Sequence, residues 1–207
     1  MSETTEGFLD KVYDLENRED TKALYADWAA TYDAETRANG YVSPRRCAEA
    51  LARFVEDRAA PILDVGCGTG LSGEAFAAAG FTTVDGTDFS PEMLAVAERK
   101  GVYRRLFPGA VESPLPVAPG DYAHVAAVGV FSPSHAPASL MDDALALLPR
   151  GGCFVFTLNG HALQDPSYTG RVRELVDAGG ADLMMRERGP HMPKIGLEAE
   201  VVVLRKR

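Results

Sequence analysis

Residues 61–70 read Pro-Ile-Leu-Asp-Val-Gly-Cys-Gly-Thr-Gly, and this decapeptide constrains the fold more than any other stretch of the 207-residue chain. A short apolar run ends near an acid, Asp64. Glycines then alternate at Gly66, Gly68 and Gly70, and an Ala-rich helical pattern starts at Leu71. This order predicts strand, glycine loop and helix, the entrance to a nucleotide-type cleft. Glycine adopts the backbone angles of such a sharp turn without cost and leaves bare main chain for a ligand to lie against. The first N–H groups of the helix point the same way and favour a carboxylate or phosphate.

The loop alone leaves the ligand open. A dinucleotide frame survives as Gly68-x-Gly70-x-x-Gly73. Against it, an acid two residues before the first glycine suits a cationic amino group and would sit badly beside a pyrophosphate. The next element decides. Residues 81–88 form a β-branched run ending in Asp88, about twenty residues past the glycines, where an acid hydrogen-bonds ribose hydroxyls. Ser90 is a good helix N-cap and Pro91 a good first helical residue. Met93 then faces back toward the cleft, as a flat apolar adenine ring requires.

Leu63-Asp64-Val65-Gly66-Cys67-Gly68-Thr69-Gly70 followed by Asp88-Phe89-Ser90-Pro91-Glu92-Met93-Leu94 resembles the class I S-adenosylmethionine-dependent methyltransferases. The resemblance covers residues 58–158 and implies S-adenosylmethionine as cofactor. It places Asp64 near the methionine amino group, directly or through water. Gly66, Cys67, Gly68, Thr69 and Gly70 carry the methionine portion, and Asp88 holds the ribose. Phe89, Met93 and Val128 join the expected cofactor contacts. Two departures concern adenine. Ala110, beside Val111, stands where many members carry an acid for the adenine amino group, so backbone groups there are expected to hold the ring, with Glu112 a weaker candidate. The fourth strand opens with Tyr122-Ala123, and Asp121 is displaced before the tyrosine.

Strands are expected near 61–65, 82–87, 102–107, 122–130 and 152–158, with helices near 71–79, 91–100 and 137–148. Such alternation implies a parallel sheet with helices on both faces and a ligand at the C-terminal strand ends. A helix near 166–178 and strands over 181–188 and 197–205, joined by residues 189–194, complete the reading. The fold class is therefore α/β: one doubly wound Rossmann-like domain with a mostly parallel seven-stranded sheet, an antiparallel last strand and an N-terminal helical lid. Residues 1–57 are expected to form that cap, packed on a core of residues 58–207.

Within the cap, residues 19–33 read as an amphipathic helix with Tyr25, Trp28 and Tyr32 on one face. Core packing and a lid over the cofactor are both open. The stretch from Tyr25 to Asp33, followed by Gly40-Tyr41-Val42-Ser43-Pro44, is similar to the Williams–Beuren-region methyltransferase-like proteins. That likeness makes Tyr32 and Tyr41 candidates for lining the pocket near the sulfonium, where an aromatic face stabilises a cation.

Composition narrows the acceptor. The formal charge of −9 argues against a nucleic-acid substrate, which needs basic patches. Arg104-Arg105 and Arg205-Lys206-Arg207 read as solvated ends. No apolar run reaches the roughly 18–20 residues of a membrane span, and the polar N-terminus is unlike a signal peptide. Cys47, Cys67 and Cys153 form no C-x-x-C pair, which argues against a zinc site and suits the reducing cytoplasm. Cys67 reads as a small residue that fits the loop. No metal is expected.

Neither an Asn/Asp-Pro-Pro-aromatic motif nor a Pro-Cys pair occurs, so the usual adenine and cytosine-C5 chemistries drop out. A small-molecule O-, N- or C-acceptor remains, with a protein acceptor also left open. Displacement on a sulfonium methyl needs mainly alignment, with a base only for a protonated acceptor. Of His124, His135, His161 and His191, His135 lies at the cleft end of the fourth strand and is the candidate base; His124 reads as a mid-strand packing residue. The alternatives are a non-catalytic cofactor-binding module and, third, an NAD-dependent oxidoreductase.

Overall fold

The computed structural model describes residues 29–109, 115, 117–133 and 135–207. Its elements, in chain order, are α1 (Tyr32–Ala38), α2 (Ser43–Ala52), β1 (Ile62–Val65), α3 (Leu71–Ala78), β2 (Val84–Asp88), α4 (Pro91–Lys100) and β3 (Arg105–Pro108). There follow β4 (His124–Phe131), α5 (Leu140–Leu147), β5 (Cys153–Asn159), α6 (Gly160–Gln164), α7 (Pro166–Asp177), β6 (Ala181–Met192) and β7 (Leu197–Lys206). The strands form one sheet in the order β3-β2-β1-β4-β5-β7-β6. Neighbours among β1 to β5 run parallel, and β7 is antiparallel to both β5 and β6. This is the doubly wound sheet expected from the sequence, with the order reversing beside β1.

The apolar strands are buried on both faces, as a helix-covered parallel sheet requires. Alternate residues of one strand serve different layers. Leu63, Phe154, Phe156, Val202 and Leu204 pack with α5 and α7, whereas Ile62, Val155, Val201 and Val203 pack with Leu51 of α2 and Phe76 of α3. Helix α4 shows how local chemistry fixes an element. Ser90 caps it by accepting from Met93 N, Pro91 opens it, and Gly101 ends it in the left-handed region at φ 63°.

Several boundaries move for physical reasons. The third strand starts at Arg105 rather than 102, and Tyr103, just before it, fills the space beside Gly73 and Gly86. Helix α5 starts at Leu140, since Ala136 bridges to Phe131 and Ser132 instead of entering the helix. Strand β6 runs on to Met192, and a 3-10 turn at Pro193–Ile195 makes the hairpin. The expected helix over 19–33 falls mostly outside the described residues, as do Tyr25 and Trp28. Within them, a helix begins at Tyr32 and continues past Asp33 to Ala38.

Arg104 and Arg105 are not solvated ends. Both bind the fully buried Asp85, Arg104 through Nε and Nη2 at 2.8 and 2.7 Å and Arg105 through Nε at 2.9 Å. His124 is the first residue of β4, not a mid-strand one, and lies at the end of that strand away from the cleft. Its Nδ1 accepts from Cys153 N at 3.2 Å.

Candidate active site

Strand ends β1, β2 and β4 build the site. A cavity of about 580 Å³, measured to its open mouth, is lined by Gly66 and Gly68 from the loop, Asp88, Phe89 and Met93 after β2, and Val128, Gly129 and Val130 from β4. Tyr32, His135 and Ala136 close its sides. An adjoining lobe of about 280 Å³ shares Tyr32, Gly66, Gly68 and Val128 and adds Tyr41, Pro44, Cys67, Thr69, Leu71 and Ser72. Ala110, Val111 and Glu112, expected at the adenine end, lie outside the described residues.

The loop is fastened by its own backbone. Gly66 N and Cys67 N both donate to Thr87 O, at 2.8 and 3.0 Å, and Gly70 N donates to Cys67 O at 2.9 Å. Two of its glycines serve different needs. Gly66 has φ +68°, and a Cβ there would lie 2.6 Å from Val130 Cγ2, so it permits close strand packing. Gly68 has φ +53°, and a Cβ there would meet no atom within 4 Å. Its bare face therefore opens onto the cavity it lines.

Asp88 is 6 % exposed and borders the cavity. Its Oδ2 accepts from Gly68 N and its Oδ1 from Ser90 N, both at 2.9 Å. Burial raises its pKa, and the backbone N–H groups of Ser90, Gly68 and Phe89 oppose that rise. The carboxylate thus braces the loop while standing at the cavity wall.

Asp64 is fully buried and stands one layer behind the wall. Its Oδ2 accepts from Ser72 Oγ at 2.6 Å and from Tyr103 Oη at 2.8 Å. Its Oδ1 is buried without a hydrogen-bond partner among the described residues. Burial pushes the carboxyl up to about 7, against the pull of Ser72 and Tyr103 and with a further push from Asp88. A buried acceptor left over costs about 1–3 kcal/mol.

Tyr103 belongs to this site and sequence reasoning missed it. Its hydroxyl donates to Asp64 and accepts from Gly73 N at 3.0 Å. Its ring occupies the space that side chains at Gly73 and Gly86 would fill: a Cβ there would lie 2.4 and 3.0 Å from it. Gly73 sits inside α3 at an ordinary helical φ. A glycine with no conformational task in a helix was the available signal of a close neighbour.

On the open side, Thr69 Oγ1 donates to Asp33 Oδ1 at 2.6 Å, and Lys100 Nζ lies 2.6 Å from Asp33 Oδ2. Lys100 and Arg37 also reach Glu74 Oε2, at 3.2 and 2.8 Å. This network fastens α1, and Tyr32 with it, over the glycine loop. Tyr41 lines the smaller lobe. Ser132 Oγ and His135 Nδ1 share a 2.6 Å hydrogen bond, and burial lowers the imidazole to about 4, so it is neutral at pH 7. His161 is exposed on α6. His191 is buried against Ser43, on the far side of Tyr41. Among the described residues, no helix is long and apolar enough to cross a membrane.

A parallel sheet reversing at β1, a glycine loop under a cavity and an acid at the end of β2 are the features of a class I S-adenosylmethionine-dependent methyltransferase fold. Residues 62–152 match the methyltransferase-domain family. The chain is similar to human (Homo sapiens) methyltransferase-like protein 27, with 33 % identity over 145 residues, 68 % of this chain. It spans 59 % of the length of that relative.

Among solved structures it resembles a chain of the complex between the Haloferax volcanii Trm112 methyltransferase activator and a methyltransferase. There the TM-score is 0.65 at 18 % identity, over 86 % of this chain and 96 % of that one. It also resembles magnesium protoporphyrin IX methyltransferase from Synechocystis PCC 6803 with bound S-adenosylmethionine, at TM-score 0.60 and 14 % identity, over 80 % and 81 % of the two chains. Both likenesses concern the fold.

Proposed function

We propose that the protein binds S-adenosylmethionine in this cavity and transfers its methyl group to a small-molecule acceptor. The observation that carries the reading is the meeting of the bare Gly68 backbone and the Asp88 carboxylate at one cavity wall. The unpaired Oδ1 of Asp64 behind that wall supports it, since the cofactor carries an ammonium group. Bound there, the cofactor supplies an electrophilic methyl on a sulfonium centre.

The chain's own residues do the rest. Asp88 is the acceptor for ribose hydroxyls, Phe89 and Met93 flank the adenine side, and Asp64 answers the amino group. Tyr32 and Tyr41 present aromatic faces to the cation, and α1 and α2 exclude water. His135, neutral and tied to Ser132, takes the proton of an acceptor that carries one. Three buried thiols, none paired, suit a cytoplasmic location. The second reading is a binding module without transfer. Its support is the same burial of His135, because an imidazole lowered to about 4 is a weak base.

Calorimetry with S-adenosylhomocysteine tests the site. Gly68→Val is expected to abolish binding by filling the cavity, and Asp88→Ala to weaken it by at least ~1 kcal/mol. Unchanged affinity in both variants would show the pocket to be misplaced. Incubation with methyl-labelled cofactor and a metabolite extract separates the two readings. Transfer that His135→Ala lowers about 10²- to 10⁴-fold, with binding intact, supports catalysis. Firm binding with no label transferred supports the module.

A further inference from the structure

Tyr41 occupies the turn between α1 and α2, and its hydroxyl lies over Gly129 of β4. A Cβ on Gly129 would lie 2.8 Å from the phenol oxygen, and the residue has φ +75°. The tyrosine is held from behind by a residue 150 positions along the chain. The His191 ring meets Tyr41 edge-on, with centroids 5.1 Å apart and planes at 72°. Its Nδ1 lies 2.8 Å from Ser43 Oγ, and its carbonyl accepts from Val42 N at 3.0 Å. The two residues that follow Tyr41 therefore both answer to His191.

The strand is shaped to deliver this ring. Pairing of β6 with β7 steps from Pro190–Glu198 to Met192–Leu197, leaving His191 as an extra, bulged residue. A bulge re-aims a side chain. Arg46 fixes it by donating to the carbonyls of Pro190, Ala199 and Glu187, at 2.9, 3.0 and 2.9 Å. The ring is 5 % exposed. Burial, helped by the Arg46 charge, lowers it to about 4, so it stands beside Tyr41 without charge at neutral pH.

We propose that His191, aimed by Ser43, is a positioning residue that holds Tyr41 against the β4 end of the cleft, so that the cleft favours a cation over a neutral group at the reacting centre. This rests on the cofactor reading above. It assigns a purpose to a buried polar pair remote from the glycine loop. An aromatic face attracts a nearby cation only while its orientation is kept.

Two probes differ in charge at that centre: S-adenosylhomocysteine, a neutral thioether, and sinefungin, which carries an amine there. Calorimetry on the full chain is expected to show tighter binding of sinefungin. Tyr41→Leu and His191→Ala are each expected to lower the sinefungin-over-S-adenosylhomocysteine preference about threefold or more, and Ser43→Ala to lower it by less. The double variant Tyr41→Leu/His191→Ala should lose no more than either single change, because both act through one side chain. General loosening of the fold would weaken the two ligands alike and leave their ratio unmoved.

An unchanged ratio in His191→Ala, additive losses in the double variant, or no preference in the wild type would each overturn the inference while leaving the cofactor reading intact. If His191→Ala does not fold, Ser43→Ala decides, and an unmoved ratio there overturns it. Binding of neither probe by the wild type would instead fell the cofactor reading itself.

Discussion

Asp64 and Asp85 stand on adjacent strands, β1 and β2, and neither is exposed to solvent. Asp85 pairs in register with Leu63 and Asp64 with Gly86, so the two side chains leave opposite faces of the sheet. Their surroundings differ. Asp85 takes two bonds from Arg104, one from Arg105 and one from Tyr122 Oη at 2.7 Å. Burial would raise its pKa, but these partners prevail and hold it at about 2. Asp64 has two neutral hydroxyls on one oxygen, none on the other, and sits near 7. The chain saturates Asp85 and leaves Asp64 partly unsatisfied, which is the difference that the proposed ligand role of Asp64 calls for.

Exchange of each acid for its amide tests that difference. Asp85→Asn is expected to lower the unfolding free energy by about 2–3 kcal/mol, the scale of charged hydrogen bonds, discounted because both arginine heads reach water. Affinity for S-adenosylhomocysteine should not change. Asp64→Asn should do the reverse, weakening binding about tenfold while costing less stability than Asp85→Asn in denaturant titration. If Asp85→Asn weakened binding as much as Asp64→Asn, the division of labour would be wrong.

Proton linkage sharpens the contrast because the two acids have opposite signs. The folded chain keeps a proton on Asp64 up to about 7, whereas an unfolded aspartate releases it near ~4. Between these values the folded state loses stability through this group as pH rises. Asp64→Asn escapes that loss, so its stability relative to wild type should climb from pH 4 to 7 and level off above. The Asp85 contribution is complete above about 4 and is lost as pH falls through about 2. His124, His135 and His191 are each lowered to about 4 by burial. Unfolded imidazoles take up protons near ~6.5, so wild-type stability should fall as pH drops from there toward 4. The Asp64 effect is therefore read as the difference between the two proteins.

The sequence made the chain-local part of this site legible. The strand, the three loop glycines, Asp88 at the end of β2 and the Ser90–Pro91 helix start are consecutive in the chain, and their backbone needs show in residue type. Residues acting across the sheet were hidden. Tyr103 completes the Asp64 site from 39 residues away, and only the surplus glycines Gly73 and Gly86 marked the space it fills. Arg104 and Arg105 looked like a solvated pair because their buried partner lies on a neighbouring strand. His191 and Ser43 are 148 residues apart, and nothing in either neighbourhood pointed to the other.

Asp33 supplies the smallest and most informative test of the same contrast. It lies above the glycine loop as Asp64 lies beneath it, but its side chain is 25 % exposed and its partners are Thr69, Lys100 and, at 3.8 Å, the exposed Arg37. Exposed ion pairs contribute little and are screened by salt. Asp33→Asn should therefore cost under about 1 kcal/mol of stability. Its effect should appear in rate: freed α1 would carry Tyr32 off the loop more often, and S-adenosylhomocysteine should dissociate about threefold faster in stopped flow. Raising ionic strength should produce the same acceleration in the wild type and almost none in Asp33→Asn, whereas the tenfold loss in Asp64→Asn should persist at every salt concentration. Salt dependence equal in the two variants would mean that both acids act through the same water-accessible charge, which the burial of Asp64 forbids.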